Sequence, residues 1–435
     1  MTKMKKLNIF LMFAIGLFLV SCEIEPISNP NDPAQGDVTQ DASISELNAL
    51  TSGIEDLLRS EVGFYYDVVS IVGRDYWFFT GSDPRYTGEV LGKGESQLDN
   101  AGFYGTRPYA ARYRTVKAVN LLTEALANTT APLTEAEKSG YLGFAKTMQA
   151  YELHLALNLQ YQNGIRVDVS DPNNLGAFVS YDEALSYIAN LLDDANSDLS
   201  AAGDAFRFNL TTAFAGFDTP DSFSTFNRGV AARIALYQGD MSAATGFLSS
   251  SFMDMDNPLS GGPSRYYANA AGDQANPLFR VPGNSDGIIA HPSWVATVDP
   301  TDARASKIAA REEISLDDLT GDHDVLVFSS LDDNVPFMTN EELILISAEA
   351  NVGSDNGAAV AAIDAVRTAN GLAAYGGGTS DSELMDEIAA QRQLSLFGLG
   401  HRWVDMRRWD RLDEIPLDRT DDNVWVQFPR PVSEN

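Results

Sequence analysis

The chain has 435 residues, a formal net charge of −31, one cysteine and four histidines. A surface of that sign repels polyanions and disfavours nucleic acid as a partner. The length is ample for a self-sufficient hydrophobic core. With its one cysteine at position 22, the chain has no second thiol for a disulfide or a thiolate metal site.

The first segment is an address rather than structure. Lys3, Lys5 and Lys6 precede an apolar run from Leu7 to Val20, shorter than the roughly 20 residues a membrane-spanning helix needs. The run ends in Leu19, Val20, Ser21 and Cys22, which resembles a bacterial lipobox. That resemblance implies a signal peptide over residues 1–21 and lipidation of Cys22, which attaches the chain to a membrane through lipid. Residues 22–41 are polar and carry Pro26, Pro30 and Pro33, which suits a flexible tether. Residues 42–435 are left for the folded domain.

Within that domain helix starts recur. Ser43 with Glu46, Thr134 with Glu137, Ser180 with Glu183, Thr339 with Glu342 and Ser380 with Glu383 all have capping-box spacing. After Thr134, Tyr141, Phe144, Met148, Tyr151, Leu155 and Leu159 recur at three- and four-residue steps and form one apolar stripe. Similar stretches cover residues 43–72, 104–127, 181–199, 227–251, 340–353, 356–371, 380–397 and 401–409. Breaks at Gly239 and Gly353, each followed by paired alanines, predict helical hairpins of tetratricopeptide-like form. The fold class expected is all-α, a scaffold of helical hairpins. The stretches 77–103, 163–179, 203–226 and 252–336 read as long irregular loops, rich in turn residues yet too aromatic for disorder. They are expected to form a ligand-binding face.

The C-terminal segment from Ile388 to Trp409 holds Arg392, Phe397, Gly398, Gly400, His401, Arg402, Trp403, Asp405, Arg408 and Trp409. It closely resembles the signature of the SusD/RagB family. Pro336 through Ala350, Val366 with Arg367, Asp299 through Arg304 and Phe428 through Glu434 resemble further family motifs. Gln391 and Leu399 depart from the pattern, since glutamate is common at both places. The resemblance implies a nutrient-binding lipoprotein on the outer face of the outer membrane. Its ligand would be a glycan, its partner a SusC-like TonB-dependent transporter, and it would need no cofactor. Within the signature, Asp405 is expected to pair with a buried arginine, and Trp403 and Trp409 to fill core.

No residue constellation argues for catalysis. Ser285, between Gly283 and Gly287, has nucleophile-elbow spacing but lacks the flanking strand and helix. His154, His291, His323 and His401 never pair at metal-ligand spacing. Asp317, Asp318, Asp322 and Asp324, like Asp254 and Asp256, leave a structural calcium ion open without matching a calcium loop. Sugar binding calls for exposed rings beside polar tips. Trp77, Trp294 and Trp425 lie outside the expected helices, and Trp77 sits in an aromatic, charged run with Asp75, Tyr76 and Arg85. These six residues are the expected ligand contacts. Peptide capture as in RagB, a surface glycoside hydrolase and a periplasmic helical scaffold are the competing readings.

Overall fold

Four of the five expected helix starts form full capping boxes, with Ser43, Thr134, Ser180 and Ser380 each exchanging bonds with a glutamate three residues on. The fifth differs for a physical reason. Thr339 still accepts the Glu342 N–H, but the Glu342 side chain turns inward to take the buried Arg233 guanidinium at 2.6 and 2.7 Å. A desolvated cation without a partner costs more than a helix cap contributes.

The computed structural model describes residues 39–434. The expected signal peptide, Cys22 and nearly all of the tether lie outside the described residues. Helices α1 (Ile44–Leu57) and α2 (Val62–Val72) are separated where one continuous stretch was expected, because Glu61 takes a left-handed conformation at φ 54°. Strand β1 (Tyr76–Phe79) and the long helices α3 (Phe103–Asn128) and α4 (Glu135–Gln160) follow. Nearly every residue of α4 from Gly140 onward is buried, so its apolar stripe widens into a central core helix. It packs between α3 and α5 (Tyr181–Ala201). The two-residue strands β2 (Ile165–Arg166) and β3 (Phe178–Val179) precede α5.

The hairpins are as the small residues required. Helix α6 (Pro220–Tyr237) turns through Gly239 into α7 (Met241–Leu248). Beyond the loop region, α9 (Asn340–Asn351) turns through Gly353 into α10 (Asn356–Ala369). Helices α11 (Asp381–Ser395) and α12 (Arg402–Arg408) close the scaffold.

The stretch 252–336 is more ordered than its composition suggested. Between β4 (Ser264–Arg265) and β8 (Val335–Pro336) it carries β5 (Gly287–Ala290), α8 (Pro292–Thr297), β6 (Ile308–Leu316) and β7 (Leu319–Val325). These join β1 in a four-stranded antiparallel sheet, ordered β1-β5-β7-β6. Asp317 and Asp318, at φ 54° and 65°, form the tight turn between β6 and β7. Their acidity serves that turn, and Asp317 takes Lys93 and Arg419 as partners. Asp254 likewise bonds locally, to the Asp256 N–H and the Asn257 amide.

The C-terminal signature is a lattice of interred charges. Arg392 clasps Asp405 at 2.7 and 3.0 Å, and Arg408 bridges Asp405 to Glu349. Trp403 is fully buried, and Trp409 donates its indole N–H to Glu349 at 2.8 Å. Burial holds the His401 imidazole down at about 4, so it is neutral at physiological pH. Gly400 is required by contact, since a Cβ there would stand 2.6 Å from Val69 of α2.

Candidate ligand-binding cleft

The sheet overturns most of the expected contacts. Asp75, Tyr76, Trp77 and Trp294 are all at most 3% exposed. Trp77 stacks on Phe79 at 5.7 Å and donates its indole N–H to Asp418 at 3.0 Å. Gly321 of β7 lies against its ring, and a Cβ there would stand 2.5 Å from Ile289 of β5. Trp294 stacks on Phe397 at 4.2 Å and donates to the Gln393 carbonyl at 3.1 Å. An indole with both faces covered and its donor used is core. Asp75 accepts the Gly398 N–H at 3.2 Å and ties the sheet to the signature, while the Tyr76 hydroxyl donates to Asp67 at 3.1 Å. Trp425 is half-buried and donates to the Glu89 carbonyl at 2.8 Å. None of the six lines the cleft described next; Arg85 comes nearest, lying over Phe103 of the adjoining ring row.

A cleft of about 260 Å³ opens beside the N-terminus of α2, lined by Glu61, Phe64, Asp67, Phe78, Tyr86 and Arg280 among others. Backbone geometry places these groups. The left-handed Glu61 turns α2 so that Phe64 is only half-buried and Asp67 lies inside. On β1 the side chains alternate, so Phe78 emerges half-buried between the interred Trp77 and Phe79. The rings run in sequence: Phe78 to Tyr86 at 4.6 Å, Tyr86 to Phe103 at 5.5 Å, Phe103 to Phe64 at 5.4 Å.

Guanidinium groups lie over this row. Arg107 covers Phe64 at 4.2 Å, Arg85 covers Phe103 at 4.5 Å and Arg280 approaches Phe78 at 5.3 Å. Arg280 also pairs with Asp67 at 3.1 Å, and Arg107 with Glu61 at 3.0 Å. Burial pushes the Asp67 carboxyl up, with Arg280 and the Tyr76 hydroxyl opposing the shift. The cleft thus combines ring faces, which suit the C–H face of a sugar, with carboxylate and guanidinium groups that suit its hydroxyls.

Phe64, Phe103, Asp67 and Arg280 carried no sequence signal, because the chain brings them together from three distant places. Phe78 and Tyr86 lay within the flagged aromatic run, and strand alternation is the signal that separates Phe78 from its neighbours.

A serine–histidine–aspartate array does occur, away from this cleft. His291 Nδ1 lies 2.7 Å from Ser293 Oγ, and its Nε2 lies 2.5 Å from Asp418 Oδ1. The Ser293 backbone N–H also points at Nδ1, at 3.1 Å. The ring therefore accepts at Nδ1 as the cap of α8 and donates from Nε2 to Asp418, which also holds Trp77 and Arg74. It is a structural clasp between β5, α8 and the C-terminal segment. Ser285 lies on an exposed turn leading into β5, the reverse of the strand-to-helix setting a nucleophile elbow needs. Among the described residues no group of three or more His, Cys, Asp or Glu is placed to hold a metal ion.

With the fold and cleft in view, comparison with known proteins is decisive for the family of folds. Residues 332–434 match the SusD family. The fold is SusD-like. A SusD superfamily protein from Bacteroides vulgatus superposes with a TM-score of 0.70 at 16% identity, over 90% of this chain and 96% of that one. Surface glycan-binding protein A from Bacteroides thetaiotaomicron gives a TM-score of 0.68 at 14% identity, over 91% and 97% of the two chains. A laminarin-binding SusD-like protein gives 0.62 at 17% identity, over 90% and 96%. No curated protein sequence matches the chain. At these identities the likeness establishes the SusD fold across the described domain, while the family's sequence pattern is concentrated in the C-terminal region around the arginine–carboxylate lattice.

Proposed function

We propose that this SusD-like protein captures a glycan at the cell surface and passes it, uncleaved, to a SusC-like TonB-dependent transporter in the outer membrane, with Cys22 carrying the lipid anchor. One observation carries the binding reading: four aromatic rings in sequence, three of them only half-buried, stand beside a cleft with Asp67 and Arg280 at its side. Neighbouring rings left partly uncovered beside a cleft, in a folded chain with this much core, suit a recognition surface better than packing. The glycan ligands of the similar surface proteins support the same reading. The transporter follows from the family resemblance alone, and the anchor from the lipobox-like segment that ends in Cys22.

A glycan array probed with the purified domain tests the binding step. The expected result is retention of a defined set of oligosaccharides, weakened about tenfold by Phe64→Ala, the scale of one lost ring contact. Binding of peptides but no glycans, or new reducing ends on incubation, would replace this reading with peptide capture or hydrolysis.

A further inference from the structure

A second cleft of about 290 Å³ adjoins the first, lined by Glu55, Arg59, Asn209, Thr211, Arg265 and Tyr266 among others. Arg59 lines both clefts. Both also run along the α1–α2 corner and the same chain segment, which supplies Arg265 and Tyr266 to one cleft and Gln274 to Arg280 to the other. Each volume falls just short of the roughly 300–1,000 Å³ usual for a small-molecule site, and together they fall within it.

The divider between them is the Arg59 side chain. It reaches Asp273 at 2.6 Å, Asp56 at 2.5 Å and the Tyr266 carbonyl at 3.3 Å, which ties the two clefts together. Both carboxylates are partly exposed, so hydroxyls of a ligand crossing the corner can reach them. The second cleft has a buried cation in its wall. Arg265 is 2% exposed, and its Nη2 has no hydrogen-bond partner. Its other nitrogens donate to the Leu58 and Pro336 carbonyls and the Tyr66 hydroxyl, and the buried Glu152 carboxylate balances part of its charge. Its plane lies over Phe337 at 4.3 Å. The carboxylates of this cleft are already engaged, Glu55 by the Thr211 N–H and hydroxyl and Asp56 by Arg59. This buried guanidinium gives the wall of the second cleft a positive field that favours ligand oxygens.

We propose that the two clefts are neighbouring subsites of one groove, and that the ligand is a chain of sugars long enough to cross Arg59 and occupy both. This rests on the glycan reading above and adds length selection to it. One unit lies against the ring row at Phe64 and Phe78. A further unit lies against the half-buried Tyr266, with its oxygens toward Arg265 and Asn209.

The test is calorimetric titration of the purified domain with laminari-, cello-, malto- and xylo-oligosaccharide ladders, from disaccharide to octasaccharide. In the ladder that binds, affinity should rise at least about tenfold between trisaccharide and hexasaccharide. Tyr266→Ala should abolish that rise and leave trisaccharide binding unchanged, whereas Phe64→Ala should weaken both lengths. Asn209→Ala, at an exposed lining position, supplies a milder variant of the same kind should Tyr266→Ala fold poorly. Affinity that is flat beyond the trisaccharide, or equal losses at both lengths in Tyr266→Ala, overturns the groove while leaving glycan capture standing. Failure of every ladder to bind, with no glycan retained on the array, removes both.

Discussion

The signature around α11 and α12 and the ring row beside α2 use the same residue types to opposite ends. In the signature, Arg392, Asp405, Arg408 and Glu349 are interred and matched charge for charge, and Trp403 and Trp409 spend their indole donors within the protein. At the cleft, Phe64, Phe78 and Phe103 keep part of their surface uncovered, and the partly exposed Arg107 and Arg85 lie over Phe64 and Phe103. Aromatic and arginine content therefore does not by itself mark a site. What distinguishes one is whether ring faces and donors have been used up inside the fold.

The sharpest way to break this comparison is Asp405→Ala. Removing the carboxylate strands Arg392 in a dry interior, and breaking a buried pair in this way costs about 3–5 kcal/mol. The midpoint of urea unfolding should fall accordingly, while the folded fraction keeps its glycan affinity. A variant of unchanged stability that lost binding would move the site into the signature.

Asp75 gives an intermediate effect with a defined pH window. Burial pushes its carboxyl up to about 7, with Arg402 and the Gly398 N–H opposing, whereas an unfolded aspartate titrates near pH 4. Between these values the native state holds a proton that the unfolded chain releases. The contribution of Asp75 is thus fully present below about pH 4 and is lost as pH rises through about 7. In urea titrations across that range, the wild type should lose stability relative to Asp75→Asn. The buried His401, depressed to about 4, works in the opposite direction but is common to both proteins and cancels in the difference. A difference that stays flat with pH would contradict the buried, protonated acid.

Phe64→Ala should have the smallest effect on stability, about 1 kcal/mol or less, because the ring is half-buried and outside the core clusters. Its effect on binding is the largest of the three. A large loss of stability would place Phe64 with the tryptophans of the core.

The helical scaffold was legible because its signals are local. Capping boxes, the apolar stripe after Thr134 and the glycine–alanine hairpin breaks each lie within a few residues of what they specify. The C-terminal signature was legible through resemblance, and its structural role through the need to pair buried charge. The sheet was not, because β5, β6 and β7 are separated by turns and polar residues that mimic loop, and their partner β1 lies some two hundred residues earlier in the chain. The site was legible only as a neighbourhood. The run from Arg74 to Tyr86 does reach the cleft, but which of its rings stays uncovered is decided by Gly321, Asp418 and His291, which come from far away in sequence and close over Trp77. Trp294 is hidden in the same manner by Phe397 of the signature.

A crystal structure of the domain with an array-selected oligosaccharide tests the central claim most directly. The account predicts a sugar ring against Phe64 or Phe78, with hydroxyls in hydrogen-bond range of Asp67 or Arg280. A ligand seated on Trp425, with nothing bound beside α2, would contradict it.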